Sequence, residues 1–295
     1  MWGSAGFLIG IVLGSLVKVL ADRSLSNKSF WGRSYCPKCQ HKLAWYDLFP
    51  ILSFILLKGK CRYCKDKLEI EYLIVETVTG VLVGFLFWQS FFSFSIPQFQ
   101  ILSALMELAF KTFFVVVLVV LFLTDLKKMF IPDRIVIPSI IIGIVGLTVI
   151  TLYKIVYLYN YLSGSVVGRL LLPPHNTYFQ RHALAIAQPF FLSLLTGVLI
   201  GGFFWGLIII TRGKGMGGGD VKLGAFIGIM LGFPQALFAL MLAFFTGAIF
   251  GLGLIITGKK HFGQAIPFGP FLVLGSLMML FWGNLIIDWY LKLGS

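Results

Sequence analysis

Apolar residues in this chain come in long continuous runs rather than in strict alternation. Runs near 5–21, 72–93, 101–125, 131–154, 189–211, 235–257 and 266–290 each approach or exceed the about 20 residues a helix needs to cross a bilayer. A shorter run near 218–232 brings the number to eight if it also crosses. Continuous runs argue against a membrane β-barrel, whose strands alternate apolar and polar positions. The expected fold class is all-α: a polytopic helical membrane protein of about eight spans, with a small polar module after the first helix.

The polar stretches divide the chain into three parts. Residues 1–21 form a first transmembrane helix, 22–71 a polar cytoplasmic segment, and 72–295 a helical membrane body. Composition agrees: 58% of the 295 residues are hydrophobic, 12% are charged and the mean hydropathy is +0.94, which excludes an ordinary soluble domain. No Lys or Arg precedes the first apolar run, so a cleavable secretory signal is not expected. Of the 24 basic residues, 18 fall in 22–71, 126–134, 212–222 and at Lys259 and Lys260. With eight spans all these loops share one side, and the positive-inside rule makes that side cytoplasmic and the N-terminus external. Topology thus accounts for the net charge of +13, and no nucleic-acid partner is expected; the partner implied is the lipid bilayer. The connection 155–188 is long, almost uncharged and expected on the outer side.

All four cysteines lie in the polar segment, as Cys36-Pro37-Lys38-Cys39 and Cys61-Arg62-Tyr63-Cys64. Two CxxC turns at this separation are the pattern of a four-thiolate zinc site. Disulfide pairing is the alternative, and a cytoplasmic location disfavours it. Four thiolates leave no open position, so the metal is expected to be structural, with His41 a neighbour rather than a ligand.

Carboxylates in membrane spans are costly and mark candidate functional sites. Asp125 closes the run Val115–Thr124, and Asp220 follows the glycines of Gly213-Lys214-Gly215-Met216-Gly217-Gly218-Gly219. Both are expected at the inner end of their spans, at similar depth. Two carboxylates sharing one proton can hydrolyse a peptide: the ionised one takes a proton from water and the protonated one polarises the scissile carbonyl. Gly217, Gly218 and Gly219 would let a substrate backbone come close to Asp220, and a helix starting there offers free amides. The plainer reading pairs Asp125 with Lys127 or Lys128, and makes Asp220 a helix cap or a partner of Lys222. Gly213-x-Gly215-x-x-Gly218 has the letters of a dinucleotide fingerprint but follows a membrane helix instead of a strand.

Taken together, Ser34–Cys39, Trp45–Ser53, Gly59–Cys64, Asp125 through Ile131-Pro132-Asp133, Met216–Leu223 and Pro267-Phe268-Gly269-Pro270-Phe271 resemble the bacterial type IV prepilin peptidases. These are bifunctional GxGD-type aspartic proteases, and the resemblance covers nearly the whole chain. It implies cleavage of the short basic leader of type IV prepilins and pseudopilins on the cytoplasmic side, after a glycine. N-methylation of the new N-terminus with S-adenosylmethionine as donor would follow. It assigns catalysis to Asp125 and Asp220 and a metal, Zn2+, to Cys36, Cys39, Cys61 and Cys64, with 22–71 as a methyltransferase-associated module. Glu71 and Glu76 fall where the family carries acidic residues, which makes them candidates for a methyl-donor or substrate-amine role beside the plainer one of a helix-start charge and a buried polar contact. The family's Asn and Arg-Leu-Pro near the end of the first helix are absent, and Leu73 stands where proline is common; both departures bear on methylation rather than cleavage. A peptidase lacking the methyl-transfer step and an ion- or proton-coupled transporter are the competing readings. The resemblance places the chain in a bacterial cytoplasmic (inner) membrane.

Overall fold

The structure, a computed structural model, describes residues 2–36, 38–48, 50–92, 101–174, 177–213, 216–258 and 266–293. Pro37, Lys214, Gly215, Lys259 and Lys260 of the sequence reading lie outside them. Among the described residues the regular structure is helical, with two isolated β-bridges. The chain divides into two units, Met1–Phe99 with Lys111–Pro132, and Gln100–Phe110 with Asp133–Ser295.

In the first unit α1 (Trp2–Leu25) packs along α3 (Glu71–Phe92). Between them lie the cysteine segment, a 3-10 turn at Trp45–Leu48 and the short α2 (Leu52–Leu56). Lipid tails are as apolar as leucine, so the helices gain little from burying apolar side chains against each other and adhere through close packing instead. Glycine permits that here. A Cβ on Gly10 would stand 2.8 Å from the Cα of Gly80, and one on Gly14 would stand 2.7 Å from the Cα of Glu76. Gly6 meets the ring of Phe87 in the same way. The four-residue spacing of Gly6, Gly10 and Gly14 is a packing signal that a reading of run lengths does not use.

Helix α4 (Ile101–Lys128) starts in the second unit and ends in the first. The second unit continues with α5 (Asp133–Ser163), α6 (Val166–Leu170), α7 (Tyr178–Ile210), α8 (Gly218–Leu231), α9 (Gln235–Ile256) and α10 (Gly269–Leu293). On α7 four of the six buried residues are small or polar (Ser193, Thr196, Gly197, Gly201) beside Ile200 and Phe204, while Leu195, Val198, Leu199 and Ile209 point outward and are exposed. That inversion of a soluble helix suits a lipid-facing surface. Helices α5 and α7 run through much of 155–188, leaving α6 and short turns where the sequence reading expects a long connection.

Seven described helices are long and apolar enough to cross a membrane. The eighth expected segment is α8, which has 14 residues and rises about 21 Å against a hydrocarbon core of about 30 Å. It packs against α5, α7, α9 and α10 and buries Leu223, Phe226 and Ile227. Its approach to α7 again uses glycine: a Cβ on Gly228 would stand 2.6 Å from the Cα of Gly197. Phe268, from the Pro267–Phe271 stretch, packs its ring 4.9 Å from that of Phe244.

Replacing Gly10 by leucine is expected to destabilise the protein by about 2 kcal/mol or more through overpacking, read as a lowered thermal transition in detergent. Gly202→Ala on α7, where an added Cβ meets nothing within 4 Å, is expected to leave the transition unchanged. Equal effects at the two sites would remove close packing as the cause.

Candidate functional site

The cysteine segment is built from two copies of one hairpin. In the first, Cys36 N–H donates to the His41 carbonyl at 3.0 Å and Gln40 N–H to the Cys36 carbonyl at 2.9 Å. In the second, Cys61 N–H donates to the Asp66 carbonyl at 2.8 Å and Lys65 N–H to the Cys61 carbonyl at 2.9 Å. Each is closed by a bridge, Tyr35 with Lys42 and Lys60 with Lys67. Each turns through a residue in the left-handed region, Gln40 (φ 55°) and Lys65 (φ 57°). A CxxC in this conformation aims two sulfurs at one point.

The four sulfurs lie within 4.8 Å of one another, and Cys36 Sγ and Cys64 Sγ are 3.9 Å apart. Sulfurs around a tetrahedral zinc with Zn–S of about 2.3 Å stand about 3.8 Å apart. The site therefore fits a metal ion held by four cysteines, all of them free of disulfides. Burial opposes ionisation of Cys36, but the amides of Cys39 and Lys38 and the neighbouring thiols outweigh it and draw that thiol down to about 7. At Cys64 the Asp66 amide favours the thiolate, while desolvation and the three other sulfurs prevail and push it up to about 12. Crowding of the four sulfurs thus opposes their common ionisation, and a bound cation would relieve it.

The hairpins are tied to each other and to the linker between them. Lys38 Nζ lies 2.6 Å from Asp66 Oδ2, and this pairing lowers the Asp66 carboxyl and raises the Lys38 ammonium. Asp47, whose side chain is 3% exposed, accepts from Arg62 Nε at 2.7 Å, from Tyr63 Oη at 3.3 Å and from the Ala44 amide at 3.2 Å. Arg62 and Tyr63 are the two residues between Cys61 and Cys64, so Asp47 clamps the second CxxC turn. The His41 ring packs on Tyr63 at 3.7 Å.

At the end of the first unit's helices lies a charge network. Lys18 is 1% exposed, with Nζ 3.0 Å from both Asp22 Oδ2 and Glu71 Oε2, and 4.7 Å from the Tyr72 ring centre. Lys127 Nζ lies 2.8 Å from Glu71 Oε1 and 3.1 Å from Asp22 Oδ1. Lys128 donates to the Leu25 carbonyl at 3.2 Å. A buried ammonium is tolerable when opposite charges surround it in this way. The network binds the last turn of α4 to the ends of α1 and α3. Asp125 sits in that last turn, 5% exposed.

Glu71 is the first residue of α3 and is engaged by both lysines. Glu76, 7% exposed, accepts the Ile51 amide through Oε2 at 2.8 Å. Both carboxylates therefore serve contacts within the fold.

Asp220 is the third residue of α8, and its Oδ2 accepts the Gly217 amide at 3.3 Å, as an N-terminal cap does. Lys222 pairs with Asp133, Nζ to Oδ1 at 2.6 Å. Among the described residues, a Cβ on Gly217 or Gly218 would meet nothing within 4 Å. Packing inside the unit therefore does not require glycine at either position. Asp125 belongs to the first unit and Asp220 to the second. The supporting residues that spacing alone did not reveal are Lys18, Asp22, Asp47 and Lys127; a lysine inside an apolar run was the available signal for the first.

Residues 8–90 match the family model described as the bacterial peptidase A24 N-terminal domain, and residues 112–252 match the one described as the type IV leader peptidase family. A protein of Aeromonas salmonicida (strain A449) named prepilin leader peptidase/N-methyltransferase is 30% identical over 260 residues, covering 88% of this chain and 75% of the relative. A Bacillus subtilis (strain 168) protein of the same name is 29% identical over 288 residues, covering 97% of each. No solved structure matches the chain.

The purified protein is expected to carry one metal ion per chain by elemental analysis. Asp47→Ala is expected to speed its extraction by a chromogenic chelator by about tenfold or more, the usual scale for loss of an outer partner of a metal site. Extraction at the wild-type rate would mean that the second hairpin holds its shape without the clamp.

Proposed function

This chain belongs to the type IV leader peptidase family, and on that membership we propose that it removes the basic leader of type IV prepilins or pseudopilins and then N-methylates the new N-terminus. Cleavage falls after a glycine, on the cytoplasmic side of a bacterial inner membrane, with the N-terminus of the chain outside. The family is one of aspartic peptidases, and Asp125 and Asp220 are the proposed pair. The carrying observation is that both lie inside the matched stretch 112–252, one in the last turn of α4 and the other in the first turn of α8.

In this reading one carboxylate, ionised, takes a proton from water as the oxygen attacks the scissile carbonyl. The other, protonated, gives its proton to the carbonyl oxygen; as the C–N bond breaks, the first carboxyl delivers the proton it took from water to the leaving nitrogen and the second takes a proton back from the gem-diol hydroxyl. At the start of α8 the Asp220 amide donates to the Gly217 carbonyl at 3.1 Å, and the amides of Gly218 and Gly219, which lack intrahelical acceptors, would face the substrate. Gly217, Gly218 and Gly219 keep that approach free of side chains. The prepilin's own hydrophobic helix would reach the site through the bilayer.

The four cysteines would hold a zinc ion that stabilises the module; four thiolates leave it no open coordination position for chemistry. S-adenosylmethionine would supply the methyl group. Glu71 and Glu76 are committed to Lys18, Lys127 and the Ile51 amide, so no residue is assigned to the donor.

The test uses the purified protein in detergent with a prepilin bearing a basic leader and a Gly-Phe junction, read by intact mass. The wild type is expected to remove the leader and, with S-adenosylmethionine, to add one methyl group. Asp125→Asn and Asp220→Asn are each expected to lower cleavage by a factor of about 10³ or more. Cleavage by either variant at the wild-type rate would refute the pair. Because detergent abolishes any gradient, cleavage there also separates a peptidase from a coupled transporter.

A further inference from the structure

Between Asp47 and Lys58 the polar segment carries no charge, and residues 51–57 read Ile-Leu-Ser-Phe-Ile-Leu-Leu. This stretch forms α2 and its flanking turn, and two contacts set its depth. The Ile51 amide donates to Glu76 Oε2 at 2.8 Å. Glu76 is the sixth residue of α3, about 7.5 Å along the helix from Glu71. Across the helix pair, the Cα of Glu76 faces Gly14 of α1, one turn deeper than Lys18 and well inside the apolar run 5–21. The Glu76 backbone thus lies below the charge network at the helix ends, and its carboxylate draws the Ile51 amide toward the apolar part of the helix pair.

The backbone here suits such a depth, where unsatisfied amides are costly. Ile55 N–H donates to the Ile51 carbonyl at 3.0 Å, Leu57 to Ser53 at 3.0 Å, Lys58 to Ile55 at 3.0 Å and Gly59 to Phe54 at 2.8 Å. Ile51 itself has φ 58°, a left-handed conformation that a β-branched residue rarely adopts. The Glu76 carboxylate caps its amide in that conformation. What the turn turns outward is apolar: Ile55 is 62% exposed and Leu56 72%. Ile70, just before α3, and Ile74 on it are also exposed. Lys58 and Lys60 follow, both exposed.

We propose that residues 51–57 form a membrane-dipping turn: Ile55 and Leu56 enter the acyl-chain boundary of the bilayer, and Lys58 and Lys60 reach anionic lipid phosphates above it. Apolar side chains placed beside lysines are the composition of an interfacial anchor, and lysine stems can lie along apolar surface while the ammonium stays in the headgroup layer. The Glu76–Ile51 hydrogen bond latches the anchor to α3, so the cysteine module is held at the membrane surface by the turn as well as by the ends of α1 and α3.

The test uses the full chain in nanodiscs of phosphatidylethanolamine and phosphatidylglycerol, with Leu56 or the exposed Lys42 replaced in turn by photoreactive benzoylphenylalanine. Irradiation at position 56 is expected to give lipid adducts, by intact mass, at a yield about fivefold or more above position 42. Equal yields, no lipid adduct at 56, or crosslinks from 56 to a second copy or to another helix of the same chain would overturn the proposal. In the Leu56 probe background, Lys58→Glu with Lys60→Glu is expected to abolish any preference for phosphatidylglycerol over phosphatidylethanolamine adducts. An unchanged preference would refute the phosphate contacts.

Discussion

Close approach of helix backbones at glycine is the constraint on which the other features rest. With lipid outside and apolar side chains inside, neither surface offers the free-energy difference that folds a soluble protein. What remains is van der Waals contact, and it is strongest where side chains are smallest. Gly10 against Gly80 in the first unit and Gly228 against Gly197 in the second bring helices to distances that a single methyl group would forbid. The consequence is register. With α1 and α3 locked at the glycines, Lys18 must fall opposite Glu71, and Glu76 must fall opposite Gly14.

Register in turn decides which polar groups find partners. Lys18 would be intolerable alone inside an apolar helix; beside Asp22 and Glu71 it becomes the centre of a network that also anchors Lys127 and thus the last turn of α4. The same economy governs Glu76, whose carboxylate meets the Ile51 amide. Charge near the membrane boundary is thereby used twice, to satisfy itself and to set the position of the helix end that carries Asp125.

The cysteine segment follows a different logic, that of a region too small to bury a core. Its two hairpins repeat the same hydrogen bonds at the same offsets from Cys36 and Cys61, and cross-ties through Asp47 and the Lys38–Asp66 pair hold them face to face. The repeat is visible in retrospect as Cys-x-x-Cys-x-x-Lys in both copies, at 36–42 and 61–67. It is short and shares few letters, so a search for fixed periods passes over it.

Run lengths, cysteine spacing and the placement of aspartates beside apolar runs are local properties, and the residues alone were enough to read them: helices crossing a membrane, a four-thiolate cluster, and Asp125 and Asp220 at helix ends. Other features belong to tertiary structure because they join residues distant in the chain. Lys127 meets Asp22 across 105 positions and Lys222 meets Asp133 across 89, pairings that proximity in sequence did not suggest. For Glu71 and Glu76 the plainer reading, a helix-start charge and a buried polar contact, was available from the sequence, but the fold alone supplied the partners Lys18, Lys127 and the Ile51 amide. Helix length was legible for α8, read as a short run near 218–232 and folded as Gly218–Leu231, but not for α5 and α7, which extend past their apolar runs. Hydropathy reports affinity for lipid, whereas contacts between helices determine where each one ends and which charges it meets.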